Sequence, residues 1–300
     1  MISKKYRYLI ALAREKHFGR AAARCNVSPS TLSAAIRDLE VELGVPIVER
    51  GHQFSGLTRE GQSVLEYAQR MAEASEGLRQ ELARLRDGLS GELRIGVIPT
   101  GLTVVAALTS TFARHHPSVT AQVLSLSTDE ILARLRRFEI DAGIIYTQSG
   151  GAPDLQVLPV WSEDHVLLTS RHGELDNRES ITWREASGLS LCLLTRDMQN
   201  RKTIDGVFAG LGCTARPTIE TNSIVSMLAH VCSGVWSSIV PRSVLDMIGV
   251  PAGVRVLELV EPSVAWTTGV VTLMRDPNPP MVEALLKLAQ ELPASFGIDE

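Results

Sequence analysis

The sequence is poor in several features that mark particular classes of protein. Aromatic residues make up 5% of it, and no uninterrupted apolar stretch approaches the roughly 18 residues that a membrane-spanning helix needs. The first ten residues, MISKKYRYLI, lack an apolar segment followed by a small-residue cleavage site, so we expect no secretory signal. These absences argue against a membrane partner and predict a cytoplasmic chain.

Cysteine is also scarce. The four cysteines, Cys25, Cys192, Cys213 and Cys232, lie far apart, with no CxxC pair and no histidine at metal-ligand spacing. We therefore expect reduced thiols, no metal and no cofactor.

The motifs of common enzyme classes are missing as well. There is no P-loop, HExxH motif, nucleophile elbow or paired-carboxylate motif. Residues 210–212 imitate a dinucleotide fingerprint, but they follow a predicted helix and not a strand. The sequence predicts a protein that is not an enzyme.

Charge is distributed unevenly along the 300 residues, a length that favours two domains. The formal net charge is −4, yet residues 1–60 hold ten basic and six acidic residues, a net of +4. Residues 91–300 hold 16 basic and 23 acidic residues, a net of −7. This division predicts that only the N-terminal segment meets a polyanion such as DNA.

The basic segment has the pattern of a winged helix-turn-helix. An amphipathic helix around Tyr6–Ala13 is followed by a short alanine-rich helix and a tight turn. A third helix is predicted from Ser28, a good N-cap, to Leu43, with Gly44 as the stop signal. Short β-like runs around residues 47–48 and Phe54 fit a wing.

The third helix carries small and polar residues at its N-terminal end, which is the end that enters the major groove in this motif. Its hydroxyls and first-turn amides suit phosphate oxygens, and arginine suits phosphate or guanine. The predicted DNA-binding residues are Ser28, Pro29, Ser30, Thr31, Ser33, Ala34 and Arg37 of the helix, with Arg50 and His52 of the wing.

One long helix is predicted after the head, with Thr58 as its N-cap. Positions from Val64 to Leu89 alternate spacings of four and three and are apolar apart from Ser75, which is the a/d pattern of a coiled coil. A helix that only packs on its own domain is the alternative to one that pairs with a second chain, and we favour pairing. The predicted dimerisation residues are Val64, Ala68, Met71, Leu78, Leu82 and Leu85.

From residue 90 onward, predicted strands alternate with predicted helices, which implies parallel sheets in α/β domains. Residues 93–99 and 142–146 are the clearest buried strands. Further strands are predicted near 119–126, 189–195, 216–220 and 235–240, with helices between them.

Taken together, these residues resemble the LysR-type transcriptional regulators. The head carries the resemblance most closely, through Phe18, Ala21-Ala22, Val27-Ser28, Leu32-Ser33, Ile36-Arg37-Asp38-Leu39-Glu40, Leu43-Gly44, Glu49-Arg50 and Leu57-Thr58 with Gly61. Residues 91–96, 116–119 and 141–144 match more loosely. Pro29 and residues 34–35 depart from the pattern, because the family usually has long polar side chains there.

The resemblance implies a fold class: α/β with an all-α winged helix-turn-helix head, a long linker helix and a two-lobed effector domain like a periplasmic binding protein. We place the head at 1–58, the linker at 59–89 and the effector domain at 90–300. Lobe 1 is about 91–160 plus 270–300, and lobe 2 is about 165–265, joined by crossing strands near 160–164 and 266–269. The resemblance also implies promoter DNA, a homodimer or dimer of dimers (a homotetramer) and RNA polymerase as partners.

Two-lobed α/β domains bind small ligands between their lobes, at strand-to-helix turns. Hydroxyls, helix N-termini and arginines at those turns suit a small, polar, anionic effector. The predicted effector-binding residues are Thr100, Gly101, Ser127, Thr128, Thr147, Thr195, Asn200 and Arg201. Arg196 is a further candidate carboxylate partner, and Asp197 would repel an anion unless it faces away.

The identity of the signal stays open between alternatives. Residues 194–200 resemble the LysR subgroup that regulates molybdenum-dependent formate dehydrogenase operons, which implies formate. A redox sensor of the same family is a second possibility, and it requires two effector-domain cysteines within bonding reach. A solute-binding protein without DNA function is a third, but it leaves the head and the heptads unused.

Overall fold

A computed structural model describes residues 2–49, 54–171, 175 and 177–292. The chain divides into two compact units, Met1–Gly88 and Leu89–Glu300. The described residues include no helix that is both long enough and apolar enough to cross a membrane.

The first unit is helical. Its helices are α1 Lys4–Glu15, α2 Phe18–Arg24, α3 Pro29–Leu43 and α4 Arg59–Asp87. The ends of α3 are the ones predicted: the Ser28 hydroxyl accepts from the Thr31 amide, and Gly44 ends the helix with a φ of +70°. Leu9 and Leu12 of α1 pack against Leu32, Ile36 and Leu39 of α3, which fixes the face that α3 leaves exposed.

The segment after α3 is held by one acidic side chain. Glu40 accepts from the amides of Ile47 and Val48, at 2.7 and 3.0 Å. Val48 in turn forms an antiparallel β-bridge with Leu57, which closes the base of the wing. Gly61 of α4 lies so close to this segment that a Cβ there would be 2.0 Å from the Ile47 carbonyl oxygen.

Helix α4 begins as predicted, with the Thr58 side chain accepting from the Gly61 amide. Its first turns pack on the head, where Leu65 and Ala68 are buried. Farther along, the apolar seam positions are open within this chain: Met71 is 42% exposed, Leu78 62%, Leu82 51% and Leu85 68%.

The second unit begins with a parallel three-stranded arrangement. Its elements are β1 Gly91–Val97, α5 Leu102–His115, β2 Val119–Ser125, α6 Thr128–Arg136 and β3 Ala142–Tyr146. Strand β1 is central, with Ile95 opposite Val123 on one side and Ala142 on the other. The last helix, α11 Pro280–Glu291, joins this lobe through the core cluster that contains Val104, Phe112 and Leu285.

The second lobe lies between two long crossing strands in the sequence. Its elements are β5 Ser180–Thr182, α7 Trp183–Ala186, β6 Cys192–Leu194, α8 Gln199–Gly210, β7 Ile219–Thr221, α9 Ile224–Cys232, β8 Ser238–Pro241, α10 Arg242–Ile248 and β9 Val254–Val260. Strands β6 and β7 are parallel, and the segment that leads into β6 bridges the one before β8 through Leu191 and Ser237.

The crossing strands are β4 Leu155–Ser170 and β10 Ala265–Leu273, which pair antiparallel along their length. A register shift between Thr268 and Gly269 bends the pair. Sheet order β2-β1-β3-β10-β4-β9-β5 makes these two strands the centre of a continuous mixed sheet that serves both lobes. The structure therefore has the predicted fold class.

Candidate functional site

The N-terminal end of α3 carries a small network of hydroxyl groups. Ser28 Oγ lies 2.8 Å from both Ser30 Oγ and Thr31 Oγ1, and all three residues are exposed. Ser33 and Ala34 are partly exposed on the next turn. Because the Ser28 hydroxyl already caps the helix, Ser30 and Thr31 are the hydroxyls with more freedom to meet a DNA phosphate or base edge.

The remaining predicted DNA contacts divide into two groups. Pro29 and Arg37 are exposed on α3, and Arg37 lies two turns from the helix start. Arg50 and His52, predicted for the wing, lie outside the described residues. The structure therefore supports one exposed, hydroxyl-rich surface with a basic residue beside it.

In the second unit, two of the predicted effector residues meet through a third residue between the lobes. Asn200, at the start of α8, donates from Nδ2 to the Tyr146 hydroxyl oxygen at 3.0 Å. That hydroxyl lies 3.4 Å from Thr100 Oγ1, in the turn after β1. All three side chains are buried, so a polar contact connects the first lobe with the second.

The crossing strand β4 adds two titratable side chains to this contact. His165 Nε2 lies 2.8 Å from Asn200 Nδ2, and the His165 ring packs edge-on to Trp266 of β10, with ring centroids 4.4 Å apart. Glu163, two residues earlier on the same face of β4, lies opposite Trp266 in the strand register. Ser243 of α10 donates to Glu163 Oε1 at 2.9 Å.

We call this set the interlobe cluster: Thr100, Tyr146, Glu163, His165, Asn200, Ser243, Trp266 and Thr268. Thr268 belongs to it because it lies opposite Tyr146 of β3 and Trp161 of β4. Every member is buried. The cluster thus draws on both lobes and on both crossing strands.

Burial shifts the proton affinities inside the cluster. It lowers the pKa of His165 to about 3, so the ring is neutral at physiological pH. Burial also raises the pKa of Glu163 to about 7, against an opposing effect of the Ser243 hydrogen bond. Burial and then the negative charge of nearby Glu163 raise the pKa of Tyr146, which stays a neutral phenol.

Several polar atoms of the cluster have no hydrogen-bond partner among the described residues. They are Glu163 Oε2, His165 Nδ1 and Thr268 Oγ1. Unpaired buried polar atoms are rare in folded proteins, because each costs about 1–3 kcal/mol. These three buried atoms therefore have hydrogen-bonding capacity that none of the described residues uses.

The other predicted effector residues have different roles in this structure. Ser127 forms a reciprocal capping box with Glu130 at the start of α6. Thr128 beside it is buried, and its Oγ1 has no partner among the described residues. Gly101 is buried next to Thr100, while Thr147 and Thr195 are partly exposed.

Arg201 is buried, with 1% of its side chain exposed, and acidic groups already surround it. Its guanidinium donates to Asp205 and Glu220 and to the carbonyl of Leu194. Arg196 is exposed and lies 3.8 Å from the same Glu220. These partners neutralise both arginines, so an anionic ligand would have to displace a carboxylate to reach Arg201.

Sequence reasoning missed six members of the cluster as site residues: Tyr146, Glu163, His165, Ser243, Trp266 and Thr268. A usable signal was present for two of them, because Glu163 and His165 are ionisable residues at i and i+2 in or next to the expected crossing strand and must share one face of it. Their partners were not predictable, since Ser243 lies 80 residues from Glu163 in the sequence.

The cysteines lie outside the interlobe cluster. Cys192 is buried on β6, and burial raises its pKa. Cys213 is half-buried after α8, and Cys232 is exposed at the end of α9. Among the described residues, no group of three histidine, cysteine or acidic side chains is placed to hold a metal ion.

Comparison with known proteins identifies both units. Residues 3–62 match the family described as bacterial regulatory helix-turn-helix protein, lysR family, and residues 86–294 match the LysR substrate binding domain. A probable hydrogen peroxide-inducible genes activator of Mycobacterium xenopi is 36% identical over 162 residues, which cover 54% of this chain and 85% of that protein. The DNA-binding transcriptional dual regulator OxyR of Escherichia coli is 26% identical over 288 residues, covering 96% and 93%.

Solved structures agree with these sequence matches. A full-length cysteine-to-aspartate variant of OxyR from Pseudomonas aeruginosa superposes with a TM-score of 0.78 and 28% identity, covering 97% of this chain and 95% of that one. Full-length CbnR in complex with its target DNA superposes with a TM-score of 0.67 at 22% identity, covering 97% and 99%, and shows the same fold.

Proposed function

The chain belongs to the LysR family of bacterial transcriptional regulators, and from that premise we propose that it binds promoter DNA as a homodimer or dimer of dimers under the control of a signal received between its effector lobes. The observation that carries the proposal is the pairing of two features in one chain. One is an exposed recognition helix in a head that matches the family. The other is a buried polar cluster that joins two lobes of a family effector domain.

The DNA contacts are proposed for α3 and the wing. Ser30, Thr31 and Ser33 meet phosphates or base edges at the N-terminal end of α3, and Arg37 meets phosphate. Pro29 and Ala34 offer no hydrogen-bonding side chain, so DNA shape and contacts with thymine methyl groups contribute more to specificity. CbnR, which has the same fold, is described in complex with its target DNA.

Dimerisation is proposed for the seam of α4. The open positions Met71, Leu78, Leu82 and Leu85 form one stripe at coiled-coil spacing. A stripe of this kind, which none of the described residues of its own unit covers, is stabilised by the same stripe of a second copy. RNA polymerase remains a proposed partner of the assembled regulator.

The descriptions of the relatives favour peroxide, or another oxidant, as the signal. Several of them are described as hydrogen peroxide-inducible genes activators. In this chain, an oxidant response would act through Cys192, Cys213 or Cys232 in the second unit. Cys232 is the most accessible of the three, and Cys192 is the most protected.

A small polar effector in the interlobe cluster is the second candidate, and the unpaired atoms of Glu163, His165 and Thr268 favour it. Formate is a candidate of that class. The relatives described above point toward peroxide, whereas the cluster itself points toward a ligand with several polar atoms.

The decisive experiment is a DNA-binding assay with both signals. The full-length protein is first used to capture genomic fragments, and fluorescence anisotropy on the best fragment then measures affinity with hydrogen peroxide, formate, acetate or buffer. A shift with peroxide that is lost in a Cys192→Ser, Cys213→Ser, Cys232→Ser triple variant supports the oxidant response. A shift with a carboxylate that persists in the triple variant supports the effector response. Failure to select any DNA fragment would overturn the proposed function.

A further inference from the structure

The charge state of Glu163 decides what the interlobe cluster can bind. Its Oε1 accepts from Ser243, its Oε2 has no partner among the described residues, and only 4% of the residue is exposed. An ionised carboxylate in such a place needs a cation or several donors, since desolvation alone costs several kcal/mol.

The cations near the cluster are already engaged elsewhere. Arg242, next to Ser243 in the sequence, pairs with Glu258. Arg201, next to Asn200, pairs with Asp205 and Glu220. Lys202 lies 3.6 Å from Asp129 of the first lobe.

Among the described residues, the groups placed near Glu163 carry no positive charge either. Tyr146 of β3 lies near it, Trp266 of β10 lies opposite it in the strand register, and Ser243 of α10 donates to it, while His165 shares its strand face. These side chains are neutral, so the neutral acid is the stable form of Glu163 at moderate pH. Its raised pKa agrees with this conclusion.

The hydrogen-bond pattern also determines which ring nitrogen of His165 carries the proton. An amide NH2 can only donate, so His165 Nε2 accepts from Asn200 Nδ2. In the neutral ring the proton is then on Nδ1, the atom without a partner among the described residues. His165 thus presents an unused N–H donor on the same strand face as Glu163.

We propose that the interlobe cluster binds a small carboxylate together with a proton, with Glu163 present as the neutral acid that donates from Oε2. The Nδ1–H of His165, on the same face of β4, is a second donor. The hydroxyl of Thr268 is a third donor. An uncharged acid held in an apolar site is an effective donor to an oxyanion, and Trp266 provides the apolar wall. The inference rests on the effector response in the proposed function.

The protonation of Glu163 can be measured as proton uptake when a carboxylate binds. Above pH 7 the free protein holds Glu163 ionised, so binding of a carboxylate draws one proton from the buffer onto Oε2. Below pH 7 the proton is already present, and binding takes up none. The affinity for a carboxylate therefore falls as pH rises above 7, and a cationic ligand would show the opposite dependence.

The test is isothermal titration calorimetry on the full-length protein with formate and acetate as probes and methylammonium as the cationic counterpart. Titrations at pH 6, 7 and 8, each in two buffers of different ionisation enthalpy, give the affinity and the number of protons taken up. For the wild type we expect carboxylate affinity to fall toward about tenfold per pH unit above pH 7, with uptake approaching one proton per ligand at pH 8.

Two variants sharpen the test. Glu163→Gln places an amide donor where the acid was, so carboxylate binding should persist with its pH dependence and proton uptake removed. Asp164→Asn changes the next residue, which is exposed, and should keep the wild-type pH dependence. Circular dichroism and Tm establish that both variants fold, and if Glu163→Gln does not, the proton uptake of the wild type decides alone.

Three results would overturn the inference: no binding of either carboxylate, carboxylate binding with no pH dependence in the wild type, or methylammonium binding that tightens as pH rises. Each leaves the DNA-binding result untouched. Wild-type protein that selects no DNA fragment would instead contradict the proposed function.

Discussion

Asn200 of the second lobe donates from Nδ2 to the phenolic oxygen of Tyr146 in the first lobe, at 3.0 Å. The same Nδ2 reaches His165 Nε2 at 2.8 Å, so one amide group satisfies two buried acceptors on different elements. This contact therefore joins one element of each lobe and the crossing strand β4 within the interlobe cluster.

Removing that amide should destabilise the effector domain. We expect Asn200→Ala to lower the free energy of unfolding by about 1–3 kcal/mol, because two buried acceptors lose their donor. Urea titration followed by circular dichroism measures the change. Asn222→Ala, at an exposed position, is the matched control and should differ little from the wild type. Equal stabilities of both variants would mean that the cross-lobe contact contributes nothing.

Glu163 and His165 should give opposite contributions to the pH dependence of stability. The raised pKa of Glu163, about 7 against 4.5 unperturbed, means that the folded chain binds this proton more tightly. Its stabilising effect is full below pH 4.5 and is lost as pH rises to 7. His165, with its pKa lowered from 6.5 to about 3, destabilises the fold increasingly as pH falls from 6.5 to 3.

Between pH 4.5 and 6.5 the two effects oppose each other in the wild type. Relative to wild type, Glu163→Gln should therefore gain stability with rising pH, by at most about 1.4 kcal/mol per pH unit. His165→Gln should lose stability relative to wild type over the same interval. Urea titrations at half-unit pH steps give both differences. Parallel curves for all three proteins would show that neither group changes its pKa on folding.

The exposed seam of α4 should set the oligomeric state. We expect the double variant Leu78→Glu, Leu82→Glu to dissociate from the dimer into species of half its mass. The reason is that charged side chains would otherwise be buried in a coiled-coil seam. Analytical ultracentrifugation measures this mass. Ala83→Glu, on the same helix and off the seam, should leave the assembly intact. If the double variant keeps the wild-type mass, the seam is not the dimer interface.

Arg37 should contribute a sequence-independent share of DNA affinity. Arg37→Ala should weaken binding to the selected promoter fragment and reduce the slope of log affinity against log salt by about 1. Fluorescence anisotropy at several salt concentrations gives the slope. Arg216→Ala, an exposed arginine of the effector domain, should change neither quantity. An unchanged slope for Arg37→Ala would remove this residue from the DNA contacts.

Substitution by alanine should have opposite effects on stability at two glycines of α4. A Cβ at Gly61 would lie 2.0 Å from the Ile47 carbonyl oxygen, so Gly61→Ala must push the base of the wing away from α4. We expect a loss of about 2 kcal/mol or more in the stability of the head, with weaker DNA binding. At Gly77 nothing lies within 4 Å, so Gly77→Ala should stabilise the helix by about 0.5–1 kcal/mol. Calorimetric melting of both variants tests the contrast, and equal Tm values would refute it.

Much of the fold was predictable because its signals are local. The caps Ser28 and Thr58 and the stop at Gly44 act within one helical turn, so the sequence around them suffices. The family resemblance, and not a local signal, implies crossing strands near residues 160–164 and 266–269, and the structure pairs these segments within two long strands. Strand and helix boundaries in the second lobe moved by a few residues, since ends depend on long-range partners.

The sequence by itself determined the class of protein: a basic helix-turn-helix head, a heptad-bearing helix and an alternating α/β effector domain. Periodicity and capping are set by neighbours within a few residues, and these need no knowledge of the tertiary fold. Only the tertiary structure decided the chemistry between the lobes. It placed Asn200 against Tyr146 and His165, paired Arg201 with Asp205 and Glu220, and buried Glu163 with no cation among the described residues to pair with it. Apart from the local Arg201–Asp205 pair, these partners lie 19 to 80 positions apart in the sequence, and for that reason the chemistry of the interlobe cluster could not be predicted from the sequence alone.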